Sequence, residues 1–173
     1  MVFESNKIIP PEERQKNLKD FEREVRSLGD FYNVSELAPY TYMVHQGNFS
    51  DRVRITFQAL THGNEIAGFS ILREFISVLG KYKLSLPFSF GIALGNTEAY
   101  KQDVRFIEKD LNRSFGSNDK NFLEDRRARE LEKLLKNTDF LLDFHQTQCP
   151  CLNPFFIFPY TKTGVSFALH LNS

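Results

Sequence analysis

His62 and Glu65 stand three positions apart in the stretch Leu-Thr-His-Gly-Asn-Glu-Ile-Ala-Gly over residues 60–68, and His145 closes the apolar run Leu-Leu-Asp-Phe-His. Imidazole nitrogens and carboxylate oxygens are donors that zinc takes from proteins at ~2 Å, and three such ligands plus a water position make a catalytic site. A His and a Glu at this spacing, where a strand gives way to a helix, can both reach one ion. A histidine at the end of a neighbouring strand would be the third donor. Asp143, two residues before His145, points the same way from the strand and would orient that ring. A plainer reading also exists. Asn64 is a good N-cap, Glu65 in a first turn complements the helix dipole, Gly63 permits a tight turn, and Asp143 pairs with a basic side chain. That reading leaves His62 unexplained.

A long polar segment over residues 96–121 carries a second group: Arg105, Asp110, Asn112 and Arg113. Solvated arginines, an Asp110–Arg113 surface pair and a turn-capping asparagine would account for them without function. An amide beside a guanidinium is also a natural clamp for a carboxylate, because arginine donates in a bidentate fork. A second arginine nearby can stabilise an oxyanion.

These residues need elements to position them. Residues 10–28 predict a helix with Leu18, Phe21, Val25 and Leu28 at helical spacing and Gly29 as its stop. Residues 40–47 and 52–60 read as strands, and the intervening 48–51 would join them as a hairpin. A helix follows over 65–79, with Ile66, Phe69, Leu72, Phe75 and Ile76 on its buried stripe and Gly80 as terminator. A short strand over 88–94 ends at Gly95-Asn96. A charged helix over 122–136 leads into a strand over 140–147, apolar on both faces as a central parallel strand should be. Residues 154–160 look like another strand. Strands alternating with helices predict an α/β sandwich around a mostly parallel sheet, whose ligands gather beyond the carboxyl ends of the strands. Both His62 and His145 fall at such ends.

The chain's 173 residues suit one domain, and a formal net charge of zero with no long basic run argues against nucleic acid as a partner. No apolar segment is long enough to span a bilayer, and the N-terminal stretch has no signal-peptide core. The two cysteines, Cys149 and Cys151, are too close in sequence for ordinary disulfide geometry, which favours a reduced, cytoplasmic chain.

Three motifs in order, "HGNE..G", "GN..A.....R....DLNR.F" and "D.H.T", span residues 61–147. In this the sequence resembles the succinylglutamate desuccinylase/aspartoacylase family, within the wider zinc-carboxypeptidase-like superfamily. The resemblance implies a three-layer α/β/α sandwich around a mixed, mostly parallel sheet. It implies zinc held by His62, Glu65 and His145, with Asp143 behind His145. Arg105 would polarise the scissile carbonyl, and Asn112 and Arg113 would bind a substrate carboxylate. The implied reaction is hydrolysis of an N-acyl amino acid at its amide bond. A metallocarboxypeptidase acting on peptide C-termini would use the same clamp. A metal-binding module without catalysis would keep only the ligands. Oligomeric state is not legible.

The chain departs from the family pattern in three places. The third motif reads Asp-Phe-His-Gln-Thr where relatives commonly have Leu and Asn at the second and fourth places, and Asp103 stands where many carry a small residue. The family's general base, a glutamate downstream of the third motif, has no counterpart before Ser173. The expectation is therefore one catalytic domain over residues 1–173, incomplete at its C-terminus.

Overall fold

A computed structural model of the chain describes residues 9–47, 53–117, 121–147 and 161–171. Helix α1 (Pro11–Ser27) starts on a proline, whose missing N–H is no loss in a first turn, with Glu12 and Glu13 at its positive end. A 3₁₀ turn (Leu28–Asp30) leads into β1 (Asn33–Ala38), which folds back through Pro39 and Tyr40 onto β2 (Thr41–His45). Then come β3 (Arg54–Ala59), α2 (Ala67–Tyr82), β4 (Ser89–Leu94) and the short α3 (Thr97–Gln102). A 3₁₀ turn (Leu111–Arg113), α4 (Leu123–Leu135), β5 (Phe140–Asp143) and α5 (Lys162–Leu171) complete the order.

The strands form one mixed sheet in the order β1-β2-β4-β3-β5. β3 runs parallel to β4 and β5, while β1–β2 and β2–β4 are antiparallel. The expected hairpin between residues 40–47 and 52–60 does not form, because β4 lies between β2 and β3 and pairs with both. All six β4 residues are buried, so it is the strand suited to the centre. The hairpin partner of β2 is instead β1, a strand whose mostly exposed positions give no clean alternation.

Helices cover both faces. On one, Leu18, Phe21 and Val25 of α1 and Phe69, Leu72, Ile76 and Leu79 of α2 pack with Tyr42, Val44, Phe90 and Ile92 of the sheet. On the other, Ala128, Leu131 and Leu134 of α4 cover Met43 and Ala93. Each fully buried Leu or Phe contributes roughly 1.5–3 kcal/mol, so these two faces dominate the stability. β3 alternates apolar Ile55, Phe57 and Ala59 with polar Arg54, Thr56 and Gln58, yet Thr56 and Gln58 are buried too, Thr56 Oγ1 bonded to Thr138 Oγ1 at 2.7 Å. At Gly91 of β4 a Cβ would fall 2.4 Å from Thr56 Oγ1 and 2.8 Å from a Leu134 methyl, so only glycine lets α4 approach this closely.

Two further expectations change. α2 runs past Gly80 to Tyr82, and Lys83 in the left-handed conformation (φ 48°) closes it, so Gly80 is an interior residue. β5 is shorter than the predicted 140–147, and among the described residues it pairs with β3 alone at the end of the sheet, with Leu141 46% exposed. The predicted strand over 154–160 and both cysteines lie outside the described residues.

Candidate metal centre

β3 ends at Ala59, and Leu60 takes a positive φ of 59° although it carries a fully buried side chain. Such a conformation is costly for leucine and tends to persist where the surroundings over-determine it. Here it turns the chain so that Thr61 and His62 enter the interior, 1% and 2% exposed. Gly63 lies against α3, where a Cβ would fall 2.2 Å from the Ala99 carbonyl carbon, and its N–H donates to Arg105 O at 3.0 Å. The turn closes with Glu65 N–H donating to His62 O at 3.1 Å. α2 begins only at Ala67 and has no side-chain cap, so the capping roles of Asn64 and Glu65 do not apply. Asn64 is exposed and Glu65 is buried, 6% exposed, before the helix starts.

His145 follows β5 at the neighbouring strand end. Gly68 brings the two segments together: a Cβ there would lie 2.5 Å from Phe144 Cβ and 3.2 Å from Ala59 Cβ. Across that contact the Glu65 carboxylate takes one imidazole on each oxygen. His62 Nδ1 lies 2.8 Å from Oε1, and His145 Nδ1 lies 2.9 Å from Oε2. One donor atom from each of the three residues falls within 4.8 Å of the others, and the ring centroids are 5.0 Å apart. Among the described residues no other group of three such side chains converges in this way.

The outward nitrogens define the protonation. Arg105 Nη2 lies 2.9 Å from His62 Nε2 and, being only a donor, requires that nitrogen to accept. His62 therefore donates from Nδ1 to Glu65. Asp110 Oδ1 stands 3.3 Å from the same Nε2 and also accepts from Asn112 N–H at 2.9 Å. His145 faces carboxylates on both sides, with Asp143 Oδ2 3.0 Å from Nε2, so both its nitrogens donate. The Asp143 and Glu65 bonds outweigh burial and raise the His145 pKa to about 10. Burial works to raise the Glu65 pKa, but hydrogen bonds from His145 and the Gln146 backbone outweigh it and bring it to about 2.

Two imidazoles and a buried carboxylate suit a divalent ion once His145 gives up its Nδ1 proton, and His145 has the Asp143 carboxylate on its far nitrogen, as metal-binding histidines usually do. Arg105 stands at the rim: Nη1 donates to Glu65 Oε1 at 3.0 Å, and the side chain is 39% exposed. Its loop is held by Glu124, fully buried at the start of α4. Glu124 Oε1 accepts from Asn96 Nδ2 and from Ile107 N–H, both at 2.8 Å. Nothing in the charged pattern of α4 sets Glu124 apart, nor does the sequence place Asp110 beside His62. Asn112 and Arg113 lie on the 3₁₀ turn with exposed side chains, and neither side chain has a hydrogen bond or ion pair among the described residues. The expected Asp110–Arg113 pair is absent there. Asp103 takes φ 56° to close α3 and pairs with Arg14 at 2.7 Å.

An N-acyl-aromatic-L-amino acid amidohydrolase (carboxylate-forming) of Xenopus tropicalis is 30% identical over 122 residues, covering 64% of this chain and 38% of that protein. The crystal structure of a succinylglutamate desuccinylase from Chromobacterium violaceum superposes with TM-score 0.59 at 21% identity, over 75% of this chain and 45% of that one. A metallo-carboxypeptidase structure from Burkholderia cenocepacia gives TM-score 0.57 at 15% identity, over 79% of this chain and 40% of that one, so the fold is metallocarboxypeptidase-like. The chain thus spans less than half the length of each. Residues 51–168 match the model of the succinylglutamate desuccinylase/aspartoacylase catalytic domain, and the chain belongs to that family.

Proposed function

We propose that this chain forms the metal-binding part of a zinc-dependent amidohydrolase that cleaves an N-acyl amino acid, with residues 1–173 belonging to one catalytic domain. The observation that carries this reading is the convergence of His62 Nδ1 and His145 Nδ1 on the two oxygens of Glu65, with Arg105 at the rim. These three side chains would hold the ion, which when bound supplies a Lewis acid and lowers the pKa of water.

The protein's own residues do the rest. Asp143 accepts the proton on His145 Nε2, leaving Nδ1 to face the ion. Arg105 is anchored through its carbonyl to Gly63 N–H and sets a fixed positive charge where the scissile carbonyl oxygen becomes negative. Asn112 and Arg113, exposed and without side-chain partners among the described residues, are available to a substrate carboxylate, which arginine binds in a fork. We assign no general base among these residues. A metallocarboxypeptidase reading draws support from the shared fold and the same clamp.

The test is hydrolysis by the metal-loaded full-length protein of N-succinylglutamate, N-acetylaspartate and a short peptide, with and without a chelator. Chelator-sensitive cleavage of an acyl amino acid is expected. Cleavage of the peptide alone would transfer the assignment to a carboxypeptidase. Stoichiometric zinc without turnover would leave a binding module.

A further inference from the structure

Thr61 and Gln58 are buried polar residues that touch neither the ion-facing atoms nor the clamp. Both are 1% exposed. Gln58 Nε2 donates to Thr61 Oγ1 at 2.9 Å, and Thr61 Oγ1 lies 2.8 Å from each oxygen of Asp143. Asp143 Oδ2 in turn meets His145 Nε2 at 3.0 Å. β3 and β5 are in register at Gln58 and Asp143, so the sheet itself aligns the two ends of this hydrogen-bonded chain.

The hydrogen-bonded chain has a direction. A hydroxyl has one proton, and the Gln58 N–H occupies a lone pair of Thr61, so the Thr61 proton is left for Asp143. The reverse orientation would have Thr61 donate to Gln58 Oε1 and turn an oxygen lone pair toward the carboxylate. The sign that the observed orientation is held is an uncompensated group: Gln58 Oε1 is buried and has no partner among the described residues. A buried orphan acceptor costs about 1–3 kcal/mol, which a flip of the amide would relieve if Asp143 did not require the donor.

We infer that Thr61 and Gln58 are positioning residues for the metal ligand His145. They hold the Asp143 carboxylate in place against the ring, so that His145 donates from Nε2 and presents Nδ1. This rests on the metal-site reading above. Failure of the parent protein to bind zinc stoichiometrically overturns both readings, whereas zinc binding that is indifferent to these residues overturns this one alone.

Three variants, titrated with zinc against a competing chelator, test it. Thr61→Val keeps the shape and removes the hydroxyl, and it should weaken zinc by about 10–100-fold, the range usual for such outer partners. Thr61→Ser restores the donor and should fall within about threefold of the parent. Gln58→Met removes both the donor and the orphan acceptor, so zinc affinity should drop while metal-free thermal stability holds or rises. The ¹⁵N shifts of His145 in the zinc-loaded chain should show Nε2–H in the parent and lose that uniformity in Thr61→Val. Unchanged zinc affinity in Gln58→Met, or affinity and stability falling together there, overturns the inference even if Thr61→Val does not fold.

Discussion

Glu65 Oε2 and His145 Nδ1 meet at 2.9 Å although 80 residues separate them in the chain. This contact fixes the proton balance of metal binding. In the metal-free protein His145 carries a proton on each nitrogen, with a pKa raised to about 10 by Asp143 and Glu65. An ion at Nδ1 must displace one of them. His62, whose Nε2 accepts from Arg105 and whose Nδ1 donates to Glu65, need only move its one proton from Nδ1 to Nε2, beside Asp110. About one proton should therefore be released per zinc at neutral pH, and apparent affinity should rise about tenfold per pH unit toward pH 10. Calorimetry in buffers of different ionisation enthalpy measures this; no proton release would contradict it.

The same pair sets a stability window for the metal-free chain. The His145 pKa is raised on folding, so its contribution is complete below about 6.5 and is lost as pH climbs through about 10. The Glu65 pKa is lowered, so its contribution is present above about 4.5 and disappears as pH falls toward about 2. Metal-free thermal stability should be highest between roughly pH 5 and 7. Glu65→Gln should flatten the acid side of that profile.

Gly68 is the contact that allows Glu65 and His145 to meet, with Phe144 Cβ 2.5 Å from where a Cβ would stand. Gly68→Ala gains helix propensity but must push α2 off the β5 end. A net loss of about 1–3 kcal/mol in urea unfolding is expected, the usual cost of overpacking, with zinc affinity reduced at least about tenfold. Stabilisation with unchanged zinc binding would show that the two segments are free to part.

Glu124 holds the Arg105 loop without a cationic partner among the described residues, using neutral N–H donors from Asn96 and Ile107 on a single oxygen. Glu124→Gln can keep that oxygen in place and should cost under about 1 kcal/mol. Glu124→Ala strands both donors and leaves a cavity, and should cost roughly 3 kcal/mol or more. Chemical denaturation of the two variants side by side separates these outcomes.

Metal chemistry restricts residue type and spacing at strand ends, so His62, Glu65 and His145 stand out in the sequence alone. Of their outer partners only Asp143 does. Thr61, Gln58 and Glu124 are ordinary residues in sequence, and burial alone gives them meaning. The sequence marks β2 and β3 as strands but carries no information on which edge each pairs, so β4 can intervene unseen. α2 starts two residues later than its apolar stripe suggests, and that difference takes Glu65 out of the helix and into the site.

Arg113 offers the sharpest division between an enzyme and a binding module. Its side chain is exposed and has no partner among the described residues, so Arg113→Ala should leave unfolding within about 0.5 kcal/mol of the parent. If the residue clamps a substrate carboxylate, a charge-assisted hydrogen bond of about 1.5–3 kcal/mol is lost, and an N-acyl amino acid should bind the zinc-loaded protein roughly 10–100-fold more weakly. Zinc affinity itself should not change, because Arg113 contacts none of the ligands. Calorimetric titration of N-succinylglutamate into parent and variant reads the difference directly. Equal binding to both would remove the clamp from the mechanism and favour a module that keeps the ion for another purpose.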